Sequence, residues 1–409
     1  MTNKLPYNWE LKTLSEVGEI IGGGTPDTTK KEYWNGNILW VIPSEVTSLS
    51  SKYLYDTERK ITELGLKNSS AKIIKPNSLI ICTRATIGNC CINKNEVATN
   101  QGFKSIIPTE NYDVVFLYYL ISNNKQKLIS KASGTTFLEI SKTNLANLSF
   151  YFPPLDEQKR IASALSKIDA YLENTIKLIE EKERFKRGIA KKLLTCKEGE
   201  NIPEARFKGF EDEWEIVKLG DITKMISGGT PNTKIKEYYN GNIVWATITD
   251  ITNSYKYLYD SEKKITELGL QNSSTKIFPI NTVLYSIYGS IGECAISKVE
   301  CTTNQAILGI ECSDKINYNF LYYLLSNNKN NAKKLRQFGT QPNINKKIVL
   351  NFCFKIPNIE EQEKIGEYLS LLDAEIDNLK KQKELIKEMK RGAMQKLLSG
   401  EVRLVDNYD

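Results

Sequence analysis

Apolar residues along this chain follow two patterns in succession, and the pair is written twice. Through residue 153 they come in short runs broken by turn formers. "NSLIICT" (Asn77–Thr83), "CCIN" (Cys90–Asn93) and "KSIIP" (Lys104–Pro108) predict strands, with a turn at Gly88-Asn89. "VVFLYYLISNN" from Val114 has helical spacing instead. After Pro153-Pro154 the period changes, and Asp156-Glu157 supply the acids that suit a helix N-terminus. Ile161, Leu165, Ile168 and Leu172 recur at steps of four, three and four. Thr175 and Ile179 keep the phase, and Ile189 and Leu193 close it. The second half repeats the stripe at Ile365, Leu369, Leu372, Ile376, Leu379, Ile386, Ala393 and Leu397. A 3.5-residue repeat is the mark of a two-helix seam. Lys182, Lys186, Lys383 and Lys390 also fall on the stripe, where polar groups weaken a seam and fix its register.

The halves match nearly end to end. "EYWNGNILW" (Glu32–Trp40) returns as "EYYNGNIVW" (Glu237–Trp245), and "YLYDTERKITELGL" from Tyr53 as "YLYDSEKKITELGL" from Tyr257. "TNQ" at Thr99 returns at Thr303, and "PPLDEQKRI" at Pro153 becomes "PNIEEQEKI" at Pro357. The predicted plan is a globular domain at 1–153, a helix at 154–196, a linker at 197–212, a second domain at 213–357, a second helix at 358–400 and a tail at 401–409. A helix of about forty residues is about 60 Å long. An apolar stripe of that length needs a partner, and its own duplicate is the predicted one. The chain must build a second domain before it returns, so the helices are expected to run antiparallel. The fold class is therefore α+β: two mixed α/β domains related by a pseudo-two-fold and joined by an antiparallel coiled coil.

Composition narrows the chemistry. Histidine is absent, which removes Ser-His-Asp and Cys-His schemes and histidine metal sites. Eight cysteines without a C-x-x-C pair read as reduced, mostly buried thiols. No apolar run is long enough for a membrane span, and no export signal opens the chain, so a cytoplasmic location is expected. The formal net charge of +7 favours an anionic partner only weakly.

Several shared segments occur twice in one order: "W-E" at Trp9 and Trp214, "GGTP" at Gly23 and Gly228, "NG-I-W", "TNQ", and the helix opening "P-L-x-EQ", which reads "N-I-x-EQ" in the second half. With these in view the chain resembles the specificity subunit of type I restriction–modification enzymes. The resemblance implies two target recognition domains, each reading one half of a split sequence in double-stranded DNA. It implies a helical spacer that fixes the gap, docks two methyltransferase subunits and is joined by restriction subunits. It implies no catalytic centre in this chain, with S-adenosylmethionine, ATP and Mg²⁺ held by partner subunits. The residues agree, since there is no G-x-x-x-x-G-K-[ST] loop and no Asn/Asp-Pro-Pro-Tyr pocket.

Duplication also suggests where DNA is read. Domains reading different half-sites share scaffold residues and differ at the bases. Three divergent islands stand inside well-matched flanks: "DTTKK" against "NTKIK", "TRAT" at Thr83 against "IYGS" at Ile287, and "SGTTFLEI" at Ser133 against "FGTQPNI" at Phe338. The DNA-contact candidates of the first half are Thr25, Thr28, Lys30, Lys31, Arg84, Thr86, Ser133, Thr135 and Thr136. Those of the second are Thr230, Asn232, Lys234, Lys236, Tyr288, Ser290, Thr340, Gln341 and Asn343. Arg84 suits guanine O6/N7, and Gln341 or Asn343 suits adenine N6/N7. The lysines suit phosphates. Asn100-Gln101 and Asn304-Gln305 are shared, which points to loop structure. One enzyme constellation competes: Pro26-Asp27 with Glu58-Arg59-Lys60 mimics a P-D…E-x-K magnesium nuclease, but Asp27 becomes Asn232 in the duplicate while "EKKITELGL" persists. A coiled-coil adaptor that never touches DNA is the other alternative.

Overall fold

The computed structural model describes residues 8–134, 138–335 and 343–405. In the first domain a five-stranded sheet has the order Gly18–Gly22, Phe103–Pro108, Leu79–Cys82, Cys90–Asn93, Tyr53–Leu54. Its pairs are antiparallel except the last, which is parallel. A three-stranded sheet places Trp34–Val41 between Lys60–Ile61 and Val97–Thr99. Glu10–Thr13 and Ser149–Phe152 form a separate antiparallel ribbon. The second domain repeats the arrangement strand for strand.

The central strand Leu79–Cys82 is wholly apolar because both its faces are covered. Leu79 and Ile81 join the core under the helix Val114–Asn123; Ile80 and Cys82 join Val41 and Val97 of the three-stranded sheet. Asp113 caps that helix, its Oδ1 accepting the Phe116 N–H at 2.8 Å. The predicted turn after the central strand has Gly88 at φ +84° and its counterpart Gly292 at φ +85°, a region open to glycine at little cost. All eight cysteines are free, and Cys82, Cys91, Cys294 and Cys301 are buried.

Two uninterrupted helices follow the domains, Leu155–Leu194 and Ile359–Leu398. The chain packs as two compact units, Met1–Thr175 with Gln382–Asp409, and Ile176–Lys381. Each unit holds the start of one long helix and the end of the other. In the first, Ile161 and Leu165 are buried with Phe116, Phe150 and Phe152, and Leu397 and Leu398 enter the same cluster. In the second, Ile365, Leu369 and Leu372 are buried with Trp214 and Phe320, joined by Leu193 and Leu194. Within the second unit, Lys182 pairs with Glu375 at 2.7 Å, Lys186 with Asp373, and Lys380 with Glu183 at 2.8 Å. Rising numbers on one helix meet falling numbers on the other, so the segments run antiparallel. In the first unit Lys390 pairs with Asp169 at 2.6 Å. Lys182, Lys186 and Lys390 thus tie one helix to the other by charge, whereas Lys383 pairs with its own neighbour Glu384 at 3.3 Å.

The stripe departs from a pure helix-on-helix seam. Its N-terminal members Ile161, Leu165, Ile365, Leu369 and Leu372 are core residues of their own globular domain as well. Ile376 and Ile386 are buried, while Ile168, Leu172, Ile189 and Leu379 are half-buried. The reason is that each long helix begins on the domain it follows, and one apolar face serves both neighbours.

The duplicated helix openings are explained by what they hold. Gln158 Nε2 donates to the Pro153 carbonyl at 2.9 Å, and its Oε1 accepts the Asp113 N–H at 3.0 Å. Gln362 repeats this with Pro357 at 2.9 Å and Asn317 at 2.9 Å. Glu157 is 2 % exposed and receives Arg403 Nε and Nη2, both at 2.7 Å, with the Trp9 indole N–H at 3.3 Å. Glu361 receives Arg206 at 2.9 and 2.8 Å and Trp214 at 3.3 Å. The segment after each long helix therefore returns an arginine to the buried glutamate that opens the other one.

Candidate nucleic-acid interface

The shared TNQ segment is the hub of the site. In the first unit the Gly24 N–H donates to the Thr99 carbonyl at 2.8 Å, and the Asn100 side chain accepts the Gly102 N–H at 2.9 Å. A Cβ on Gly23 would lie 1.9 Å from the Asn100 carbonyl oxygen, and one on Gly228 2.2 Å from that of Asn304. The glycines of "GGTP" are there for this close backbone approach. Thr25 Oγ1 donates to Gln101 Oε1, as Thr230 does to Gln305. On the other side, Thr83 donates its N–H to the Gly102 carbonyl at 2.7 Å, and Ile287 to that of Ala306 at 2.9 Å.

The second and third islands meet directly. Arg84 bridges Glu139, and Tyr288 bridges Asn343. Ile140 N–H donates to the Thr83 carbonyl at 3.1 Å and Ile344 N–H to that of Ile287 at 3.0 Å, which aligns the two crossings residue for residue. In each unit the second island is thus bonded to the residue after the shared TNQ segment, the third is bonded to the second, and the first begins two residues beyond the threonine held by the TNQ glutamine.

Side chains on this surface divide into exposed and occupied. Thr28, Lys30, Lys31, Arg84 and Ser133 are exposed in the first unit, as are Asn232, Lys234, Lys236 and Tyr288 in the second; Thr25, Thr230, Ser290 and Asn343 are half-buried. The Lys30 ammonium contacts the Tyr33 hydroxyl at 3.2 Å, which holds its pKa above the usual lysine value. The Thr86 hydroxyl oxygen is buried inside the domain, so the part of this island turned outward is Arg84 with the backbone at Ala85. Arg84 is engaged in turn: its Nε and Nη2 reach Glu139 Oε2 at 2.7 and 2.6 Å, and Lys104 approaches Oε1 at 3.7 Å. Burial pushes the Lys104 pKa down despite that carboxylate. Thr135, Thr136, Thr340 and Gln341 lie outside the described residues. Glu139 and Lys104 were not among the sequence candidates. Glu139 stands in a divergent island and carried that signal; Lys104 sits in a strand and carried none.

The nuclease constellation has no matching geometry. Asp27 Oδ1 accepts the Thr29 N–H at 2.9 Å and hydroxyl at 2.7 Å, which lowers its pKa and closes its own loop. Lys60 pairs with Asp56 at 3.2 Å. Among the described residues no three His, Cys, Asp or Glu side chains gather as a metal set. Trp40, Trp245, Tyr119, Tyr322 and Tyr323 are buried in the domains, as core rather than stacking surface. No described helix is long and apolar enough to cross a membrane.

The sequence profile of the type I restriction modification DNA specificity domain matches twice, over residues 6–181 and 211–388. The chain belongs to that specificity family. A relative from Methanocaldococcus jannaschii, the type I restriction enzyme MjaIX specificity subunit, is 28 % identical over 98 % of this chain and 95 % of its own. The MjaVIII specificity subunit of the same organism is 26 % identical over 98 % and 94 %. Among solved structures, one concerned with assembly and conformational transition of the type I R-M system superposes with a TM-score of 0.62 at 18 % identity, covering 98 % of this chain and 100 % of that one. The type I restriction–modification S subunit from M. genitalium gives 0.59 at 17 % identity, with 97 % of each chain covered. These likenesses confirm the fold. The specificity family's two domains correspond to the two halves of this duplication.

Proposed function

We propose that this specificity subunit reads a bipartite DNA sequence, one half-site on each unit, and leaves methyl transfer and cleavage to its partners. The carrying observation is the convergence of the three divergent islands around the invariant TNQ loop. Shared residues hold the scaffold, and among the unlike ones Arg84, Tyr288 and the lysines of the first island stand exposed. Those lysines occur in both units and suit phosphates.

Large apolar side chains exposed on the long helices support docking of methyltransferase subunits there. Leu178, Phe185 and Leu371 are exposed in the second unit, and Tyr171, Leu385 and Met389 in the first. One methyltransferase on each of the two duplicated helix faces gives two copies per specificity subunit. S-adenosylmethionine belongs to those subunits, and ATP with Mg²⁺ to a restriction subunit. The helices set the gap between half-sites. The test is methyladenine sequencing in a host carrying the partners, with and without this chain. Grafting a relative's residues 1–153 should change one half-site and keep the other. A change in both, or in neither, overturns the reading.

A further inference from the structure

The two units differ at their matched crossing in a concerted way. Three charged residues meet in the first: Arg84, Glu139 and Lys104. The matching positions in the second hold Tyr288, Asn343 and Leu308, with Leu308 buried in the core. Two backbone bonds frame the crossing alike in both units, Thr83 to Gly102 with Ile140 to Thr83 in the first and Ile287 to Ala306 with Ile344 to Ile287 in the second. The second unit thus holds none of the three charges on the same pair of framing bonds. An ordinary surface ion pair carries no reason for this, because such a pair contributes little to folding.

We propose that Arg84 and Glu139 act as one base-reading unit, in which Glu139 is the positioning residue and Arg84 the reader of a guanine. The Glu139 Oε2 takes the Nε/Nη2 edge of the guanidinium. That fixes the plane of the fork and leaves its Nη1/Nη2 end directed to another acceptor pair, which guanine O6 and N7 provide. Lys104 stands 3.7 Å from the other carboxylate oxygen, Oε1. Tyr288 and Asn343 hold the corresponding positions of the second domain and carry no charge. The inference rests on the proposed function and adds to it the pair that sets one base of the first half-site.

The test uses the full assembly with its methyltransferase partners and reads methylation motifs. Glu139→Gln keeps the side chain's shape and removes its charge. Discrimination at one base of the first half-site should fall by about tenfold or more, with the second half-site unchanged. Arg84→Lys keeps the charge, loses the fork, and should relax the same base. The double exchange of Arg84→Tyr with Glu139→Asn should abolish the guanine preference there. Thermal midpoints should stay within about 2 °C, since Arg84 is exposed and Glu139 only half-buried. If Glu139→Gln and Arg84→Lys both leave the first half-site intact in an assembly that still methylates, the pair is a surface salt bridge and the proposal fails. If the unaltered chain directs no bipartite methylation at all, the proposed function fails and carries this inference with it.

Discussion

Removing Arg403 tests the return clamp most directly. Glu157 is buried at the start of the first long helix, and Arg403 supplies two hydrogen bonds of 2.7 Å to it. Arg403→Ala leaves the carboxylate with the Trp9 indole N–H at 3.3 Å and the Leu404 N–H at 3.4 Å. Removing one partner of a buried ion pair costs about 3–5 kcal/mol. In a unit of about 200 residues each kcal/mol moves the midpoint by about 2–4 °C, so the unit containing Glu157 should melt about 10 °C lower. The second unit keeps Arg206 on Glu361 at 2.9 and 2.8 Å and serves as an internal control. Adding Glu157→Gln should recover part of the loss, because no charge is then left stranded; a non-additivity of about 1–3 kcal/mol is expected. Calorimetry gives the two transitions, and hydrogen exchange locates the loosened segment around residues 155–165. A loss under about 1 kcal/mol, or an equal shift of both transitions, refutes the reasoning.

Three further outcomes follow from the same geometry. Lys256 is 6 % exposed, and its ammonium donates to Ser370 at 2.6 Å and Tyr323 at 3.0 Å. Burial pushes its pKa down to about 8 from 10.5. The unfolded chain therefore binds more protons between those values, and stability of the second unit should rise with pH from about 8 to 10.5, by at most about 3 kcal/mol; denaturant titrations of Lys256→Met should lack that rise. Replacing Lys30 and Lys31 by Gln should flatten the slope of log affinity against log salt by up to about 2, read by fluorescence anisotropy. Asp27→Ala should leave DNA cleavage by the full assembly in magnesium unchanged, since its carboxylate is turned into its own loop by Thr29; loss of cleavage would revive the nuclease reading.

Periodicity and self-comparison made much of this legible. The runs at Leu79–Cys82 and Cys90–Asn93 are strands, the Val114 segment is a helix, and both long helices were visible from their stripes. Sharing between halves marked the TNQ segment as loop structure but not what it holds, and Glu157 was legible only as an acid at a helix N-terminus. Arg206 and Arg403 stand in segments with no period, and their partners lie 155 and 246 residues away. No local pattern encodes such a contact. The same limit hid Glu139 as the partner of Arg84, 55 residues distant. Two-helix spacing also did not reveal that Ile161 and Ile365 serve a globular core, because either environment asks for an apolar residue at that step.

Assigning Gln382–Asp409 to the same unit as the N-terminal domain has a consequence for synthesis. A ribosome makes that domain before the second one, yet Leu397, Leu398 and Arg403, which close its core and cover Glu157, follow the second domain in the sequence. The half made earlier is therefore completed after the half made later. Until then Ile161 and Leu165 lack part of their cover, and the nascent domain waits for a segment made only after its twin. A variant stopped after Lys381 would spare the later-made unit and damage the earlier one.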